Sequence, residues 1–192
     1  MTDSSTGPAS TPSEAVALPT VIFIRHGEKP DKDHQGVTPD GRNDEHSLSV
    51  RGWTRAGALA ALFADVSTRP GLVTPSRVIV TAPSQSYKSK REHDTGLPTA
   101  QRLGITIESM VIPKDYSAVV QDIEHSQLPT LVVWHHGSIP AFVAAFAVTN
   151  ILDVPQHWPE SRFDLVWVLQ PNNGGYRWSV LPQSLLRGDA DD

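Results

Sequence analysis

Arg25, His26, Gly27 and Glu28 form a short run of residues that could do chemistry on an anion. An imidazole can act as a nucleophile, and the planar guanidinium of arginine matches the oxygens of a phosphate or carboxylate group. The run directly follows the apolar sequence VIFI, which is typical of a buried strand. Ligands of open α/β sheets bind beyond the carboxyl ends of the strands. We therefore expect Arg25 and His26 to lie at a ligand-binding edge of a sheet.

A pair of adjacent histidines, His135 and His136, comes late in the chain. It also follows an apolar run, LVVW, and leads through Gly137 into a segment with helical spacing of apolar residues. Ser138 is the expected cap of this helix, with Pro140 in its first turn, where proline is favourable. The N-terminus of a helix offers free N–H groups to an anion. Both histidine-glycine motifs are thus expected to face one anion site.

The apolar pattern of the rest of the chain predicts an α/β domain. Runs of β-branched residues predict five strands and an edge strand, at residues 21–24, 78–81, 105–107, 131–134, 165–169 and 176–181. Helical spacing of apolar residues predicts the helices between them, at residues 53–63, 97–103, 116–123 and 139–146. Strands that alternate with helices indicate a mostly parallel sheet.

The first predicted helix is preceded by a polar segment, residues 29–47, which contains proline and glycine and has no periodicity. We expect a long loop there, next to the first motif. Ser49 is the expected cap of the helix that follows. Gly52 and Gly57 lie in this helix, where glycine costs about 1 kcal/mol relative to alanine. Close packing against the sheet is the expected reason for both.

Four sequence elements, in this order, resemble the histidine phosphatase superfamily, which includes the cofactor-dependent phosphoglycerate mutases. They are RHGE after the first strand, LSVRGWTRAGALAALF as the next helix, Arg91 followed four residues later by Thr95, and VVWHHG after a late strand. The resemblance covers roughly residues 20–170. It implies a phosphoglycerate mutase-like fold, a three-layer αβα sandwich around a mostly parallel sheet.

The resemblance also implies a role for each matching residue. His26 matches the nucleophile that becomes phosphohistidine, Arg25 and Arg91 match the two phosphate-binding arginines, and His136 matches the second histidine of the pocket. The family commonly has Ser-Pro before the second arginine, whereas this chain has an apparent insertion, and the spacing to Thr95 favours Arg91 over Lys90. No metal and no cofactor are implied. The expected substrate-binding residues are Arg25, Gly27, Arg91, His136 and Gly137.

The general acid that protonates the leaving group is not evident from the motifs. Gly137 follows His136, so the aspartate that the large branch of the superfamily carries there is absent. Asp115 is the first candidate, because it lies between a predicted strand and a predicted helix at the ligand edge. Glu28 and Glu108 are the alternatives. An aspartate before a helix is also a common N-cap, and Glu28 could instead hydrogen-bond an arginine or histidine of the pocket wall.

These residues predict a phosphatase that hydrolyses a phosphomonoester, either a small molecule or a phosphoprotein. A phosphate-binding module without turnover is the alternative, and a phosphomutase is less favoured, because the acidic, tryptophan-containing insertion of the mutases is absent. A metal hydrolase is a further rival, although His135 and His136 would point to opposite faces of a strand.

Composition and charge limit the binding partners and the cellular location that we expect. The chain has 192 residues, a formal net charge of −5, a sequence pI of about 5.9 and no cysteine. An acidic chain is a poor general binder of nucleic acid, and no apolar run approaches the length of a membrane span. We expect a cytoplasmic protein with a flexible tail at residues 1–19 and one domain at residues 20–192. Its oligomeric state and its substrate are not specified by the sequence.

Overall fold

The computed structural model describes residues 17–190 of the chain. The flexible tail that we predicted therefore lies, for residues 1–16, outside the described residues. Leu18, within the predicted tail, packs against the core of the domain.

A six-stranded sheet forms the centre of the molecule. Its strands are β1 (Val21–Arg25), β4 (Arg77–Thr81), β5 (Ile107–Met110), β6 (Thr130–Trp134), β7 (Leu165–Asn172) and β8 (Gly175–Pro182). They lie side by side in the order β5-β4-β6-β1-β7-β8. The pairings of β1 with β6, β4 with β6 and β4 with β5 are parallel, whereas β7 is antiparallel to both of its neighbours. The mostly parallel sheet is thus confirmed, with β8 as its edge strand.

Helices cover both faces of this sheet. They are α1 (Val50–Ala64), α2 (Arg91–Leu103), α3 (Ser117–Ser126) and α4 (Ile139–Ala144), with short 3-10 turns at His136–Ser138 and Ile151–Asp153. Successive strand residues point to opposite faces, so Ile22 and Ile24 pack with α1 and α2, whereas Val21 and Phe23 pack with α3 and α4. Two separate apolar cores result, and the predicted three-layer αβα sandwich is confirmed.

Several local predictions differ from the structure. The segment 29–47 is not wholly irregular, because β2 (Gly36–Val37) pairs with β3 (Leu48–Ser49) in a small antiparallel sheet. The third strand lies at Ile107–Met110 rather than at residues 105–107, and α2 begins six residues earlier than predicted, at Arg91. Ser49 caps α1 as expected, since its hydroxyl accepts from the N–H of Gly52. Among the described residues, no helix combines the length and apolar character that a membrane crossing needs.

Candidate active site

The carboxyl end of β1 brings Arg25 and His26 to the edge of the sheet. β1 lies between β6 and β7, and all five of its residues are buried. The chain continues through Gly27, where a Cβ atom would lie 2.8 Å from the carbonyl oxygen of Gly52. A side chain at position 27 would therefore push the motif away from the start of α1. Gly52 is thus closely packed, as expected. It packs against the histidine motif, however, and not against the sheet.

Hydrogen bonding fixes the tautomer of His26, a residue that is only 3% exposed. Its Nδ1 atom lies 2.7 Å from the carbonyl oxygen of Gly27. A carbonyl oxygen can only accept, so Nδ1 carries the proton and Nε2 keeps a free lone pair. Burial, followed by the charges of Arg25 and Arg91, lowers the pKa of His26 to about 3. The ring is thus neutral at physiological pH and has an unprotonated nitrogen that can attack an electrophile.

His136 reaches the same place from the neighbouring strand. Because β6 runs parallel to β1 and pairs with it, both strands end at one edge. The ring centroids of His26 and His136 are 6.2 Å apart, with an interplanar angle of 80°. Burial, followed by the charge of Arg25, lowers the pKa of His136 to about 4. Its Nδ1 atom is buried and has no hydrogen-bond partner within the described residues. A neutral imidazole is thus available to a ligand beside His26.

The turn after β6 is held by His135 rather than by a helix cap. The backbone N–H of His135 donates to Oγ1 of Thr81 at 3.2 Å, and its Nδ1 atom lies 3.3 Å from Oγ of Ser138. Ser138 occupies the expected position before α4, but its hydroxyl makes no capping bond. A Cβ atom at Gly137 would lie 2.9 Å from Cε1 of His135, which explains the glycine there.

Arg25 is 2% exposed, and its guanidinium is only partly satisfied by the protein. Nη1 donates to the carbonyl oxygens of Glu160 at 2.5 Å and Arg162 at 3.3 Å, and the guanidinium carbon lies 3.9 Å from the ring centroid of Phe163. Nε is buried without a partner among the described residues. Burial lowers the pKa of Arg25 to about 10, so the group remains charged at neutral pH. A ligand oxygen would satisfy this buried charged donor.

Arg91 is the first residue of α2, and it is fixed by neutral acceptors. Nε donates to the carbonyl oxygen of Ser47 at 3.2 Å, Nη2 to that of Glu45 at 2.6 Å, and Nη1 to Oγ of Ser89 at 3.4 Å. Its charge is among the causes of the low pKa of His26, so the guanidinium lies within electrostatic range of the imidazole. Two of its five N–H groups remain for a ligand.

Thr95 gives a physical reason for the spacing from Arg91. Its Oγ1 atom accepts from the backbone N–H of Gly27 at 2.8 Å and donates to the carbonyl oxygen of Arg91 at 2.7 Å. Residues four apart lie on one helix face. The hydroxyl can therefore join the first turn of α2 to the histidine motif of β1.

Glu28 binds two arginines of α1, Arg51 and Arg55, which are not among the predicted phosphate-binding residues. Its carboxylate accepts from Nε of Arg51 at 3.0 Å and from Nη2 of Arg55 at 2.8 Å. Arg55 is 2% exposed, and its second carboxylate partner is Asp189, 134 residues further along the chain. Glu28 thus lies beside the site, with its oxygens already engaged by two cations.

Asp115 lies on the surface, where its Oδ1 atom accepts from the N–H and the hydroxyl of Ser117. These bonds lower the pKa of Asp115, which is opposite to the shift that a proton donor needs. In the described part of the chain, no hydrogen bond or ion pair joins Asp115 to the other candidate residues. The structure therefore brings His26, His136, Arg25 and Arg91 together, and their roles and that of Asp115 remain predictions.

Three residues of this region were missed by the sequence patterns. Phe163 packs against both Arg25 and the ring of His26. Tyr87 lies in the insertion before α2 and Glu92 in the first turn of that helix, and the hydroxyl of Tyr87 donates to Oε1 of Glu92 at 2.5 Å. The sequence offered one signal for Tyr87 and Glu92, namely a glutamate next to Arg91 in a segment that also contains tyrosine and serine. Such a polar segment resembles an exposed loop, so the signal was not recognised. Within residues 17–190, no group of three or more histidine, aspartate or glutamate side chains could hold a metal ion.

Comparison with solved structures identifies the fold. A mycobacterial glucosyl-3-phosphoglycerate phosphatase in complex with VO3 matches with a TM-score of 0.53 and 15% identity, over 84% of this chain and 97% of the other. The native structure of that phosphatase gives 0.52 and 16%, over 86% and 98%. A protein of Escherichia coli provisionally described as an alpha-ribazole-5'-P phosphatase gives 0.50 and 11%, over 87% and 98%. No protein-family model and no curated protein sequence matches the chain. The chain thus shares the fold of these phosphatases.

Proposed function

We propose that the protein is a phosphatase that hydrolyses a phosphomonoester, with His26 as the nucleophile and no metal ion in the reaction. The observation that carries the proposal is the state of His26, whose Nδ1 atom is held by the carbonyl oxygen of Gly27 while its neutral ring faces His136. The mycobacterial glucosyl-3-phosphoglycerate phosphatase with this fold supports the same class of reaction.

Arg25 and Arg91 would bind the phosphate group of the substrate. Arg25 retains a buried Nε–H group, and Arg91 retains two N–H groups, so both can donate charge-assisted hydrogen bonds to phosphate oxygens. His136 can add a further bond through its free Nδ1 atom. Donors that are held in place before the reaction stabilise the charge of the transferring phosphoryl group without reorganisation.

Two displacements complete the reaction. In the first, Nε2 of His26 attacks phosphorus, the P–O bond to the leaving group breaks, and the leaving oxygen takes a proton. In the second, water attacks the phosphohistidine, the P–N bond breaks, and His26 and inorganic phosphate are released. A covalent intermediate divides one difficult displacement into two easier ones. The substrate is proposed to be a phosphorylated small molecule or a phosphoprotein.

A phosphate-binding module without turnover is the second candidate. It is favoured by one observation: the acids expected from sequence, Asp115 and Glu28, are already bound by Ser117 and by two arginines respectively. A chromogenic aryl phosphate separates the two candidates, because its good leaving group needs little help from an acid.

The test is the turnover of nitrophenyl phosphate by wild-type protein and by the His26→Ala variant. The phosphatase predicts turnover that the variant loses, label from 32P-phosphorylated substrate trapped on the wild-type protein, inhibition by vanadate, and activity that survives a chelator. Tight binding of phosphate without turnover at any pH would support the module instead. Activity that a chelator abolishes would favour a metal hydrolase.

A further inference from the structure

One carboxyl group of the site has no role in the reaction described so far. Glu92, the second residue of α2, is fully buried, follows Arg91 in sequence, and lies close enough to Arg25 for its charge to act on the pKa of that arginine. Neither of its oxygens forms an ion pair with an arginine in the described structure. They accept instead from the hydroxyl of Tyr87 at 2.5 Å and that of Ser89 at 2.9 Å.

We propose that Glu92 is the source of the proton taken by the leaving oxygen, and that the hydroxyl of Tyr87 is the group that delivers it. This inference rests on the proposed phosphatase function, and it assigns the general acid that the motifs left open.

The surroundings of Glu92 favour a proton on its carboxyl group. Burial raises the pKa of Glu92, because the charged form loses the solvation of water. The titratable and charged groups that face it are Tyr87 from the preceding loop, Arg91 on its own helix and Arg25 from β1. The hydrogen bonds from the hydroxyls of Tyr87 and Ser89, followed by the charge of Arg91, act in the opposite direction and stabilise the carboxylate that remains after the proton has left. Glu92 is therefore suited both to hold a proton and to release it.

Tyr87 connects this carboxyl group to the histidines. Its ring lies edge-on to His135, with centroids 5.0 Å apart, and His135 in turn lies 4.9 Å from His136. Tyr87 also acts on the pKa of Arg25, so its hydroxyl lies within electrostatic range of the proposed phosphate site. The hydroxyl oxygen of Tyr87 lies 2.5 Å from Oε1 of Glu92, which is within the hydrogen-bond reach that a proton transfer requires.

The proton transfers balance over the two displacements. When Glu92 holds its proton, the carboxyl group donates to the Tyr87 oxygen, and the hydroxyl proton of Tyr87 is free to point at the substrate. As the P–Nε2 bond forms and the P–O bond breaks, this hydroxyl proton passes to the leaving oxygen. The carboxyl proton of Glu92 passes to the Tyr87 oxygen, and Glu92 becomes a carboxylate. In the second step water attacks phosphorus, and its proton returns through Tyr87 to Glu92 while the P–N bond breaks.

The experiment measures kcat/KM for a series of substituted phenyl phosphates, from nitrophenyl to unsubstituted phenyl, with the Glu92→Gln and Tyr87→Phe variants. General acids typically contribute about 10²–10⁴-fold, and most when the leaving group is poor. We expect both variants to keep nitrophenyl phosphate turnover within about threefold of wild type, and to lose about 100-fold with phenyl phosphate. The wild-type rate with phenyl phosphate should fall as the pH rises and Glu92 loses its proton, and this fall should be absent in Glu92→Gln.

Matched controls are Glu124→Gln on α3 and Tyr176→Phe, whose hydroxyl is buried without a partner in the described structure. Both should retain wild-type rates with every substrate. An equal fall of Glu92→Gln and Tyr87→Phe across the series would show a structural role and overturn the proposal, as would unchanged turnover of phenyl phosphate. If Glu92→Gln does not fold, Tyr87→Phe decides alone. Nitrophenyl phosphate turnover that survives His26→Ala would refute the phosphatase mechanism itself, which is a different outcome.

Discussion

Replacement of Thr95 by valine tests whether one hydroxyl fixes the histidine motif to α2. Thr95 is fully buried, and valine has nearly the same shape, so the change removes hydrogen bonds without opening a cavity. The N–H of Gly27 would lose its acceptor at 2.8 Å and stay buried. An unsatisfied buried donor costs about 1–3 kcal/mol. We expect the free energy of unfolding to fall by about 2 kcal/mol, which for a chain of this size lowers Tm by roughly 4–8 °C.

The same helix offers a matched control one turn later. Thr99 is 1% exposed, and its hydroxyl has no hydrogen-bond partner among the described residues. Thr99→Val therefore removes a buried polar group that nothing satisfies, so its stability should equal or exceed that of wild type. Urea unfolding of the three proteins, followed by circular dichroism at one pH, measures the difference.

Thr95→Val should also reduce catalysis, because Gly27 carries the carbonyl that orients His26. A displacement of a catalytic group by about 1 Å can cost about 100-fold in rate, and we expect kcat with nitrophenyl phosphate to fall by at least about tenfold. Equal losses of stability in Thr95→Val and Thr99→Val would refute the reasoning, since they would show that the bond to Gly27 contributes nothing beyond the hydroxyl itself.

Two further predictions concern stability. Because burial lowers the pKa of His26 to about 3, the unfolded chain takes up a proton below about pH 6.5 that the folded chain does not, so stability falls as the pH falls from about 6.5 towards 3. His26→Gln should flatten this dependence by up to about 1.4 kcal/mol per pH unit in urea unfolding; parallel curves for wild type and His26→Gln would contradict this. Gly52→Ala would place a Cβ atom 2.4 Å from the carbonyl oxygen of Glu28 and should lower the free energy of unfolding by about 1–3 kcal/mol. Gly57→Ala, with no atom within 4 Å of its Cβ, should raise it by about 0.5–1 kcal/mol; a loss in both variants would argue against the contact as the cause.

The sequence specified the layered fold because apolar periodicity records which faces are buried. The strands that end in Arg25 and in Trp134 were found from continuous apolar runs, which are typical of strands covered on both faces. Gly57 shows a limit of this reasoning, since its surroundings are open and close packing does not explain it. A glycine in a helix has more than one possible cause, and the sequence does not separate them.

The start of α2 could not be predicted for a different reason. Its first turn contains Glu92 and Asp94, which are charged residues at buried positions. The carboxylate of Asp94 accepts from the hydroxyl of Ser47, and Glu92 accepts from Tyr87 and Ser89, so polar bonds take the place of apolar packing. Patterns that assume polar residues at the surface fail at such a site, and the charged turn resembles a loop.

The partners of Glu28 were hidden by separation along the chain. Arg51 and Arg55 lie one turn apart on α1, and Asp189 returns from the C-terminal region to complete the cluster around Arg55. Sequence alone gave Glu28 two interpretations, as an acid or as an arginine partner. The structure shows Glu28 as a partner of arginines. The sequence did not indicate which arginines, because only the folded chain places Glu28 and Asp189 next to α1.

The arginines of the proposed phosphate site differ from Arg55 and Arg77 in the groups to which they donate hydrogen bonds. Within residues 17–190, Arg55 and Arg77 donate to carboxylates, which neutralise their charge. In the described part of the chain, the guanidinium groups of Arg25 and Arg91 donate only to backbone carbonyl oxygens and a hydroxyl, which hold these groups without neutralising their charge. That retained charge has two effects: it attracts a phosphate dianion, and it adds to burial, the larger cause, in lowering the pKa of His26, so that the nucleophile stays unprotonated. A carboxylate that stayed ionised beside these arginines would weaken both effects. A buried glutamate can be tolerated near them if it holds its proton until the leaving group departs, which is the state that we propose for Glu92.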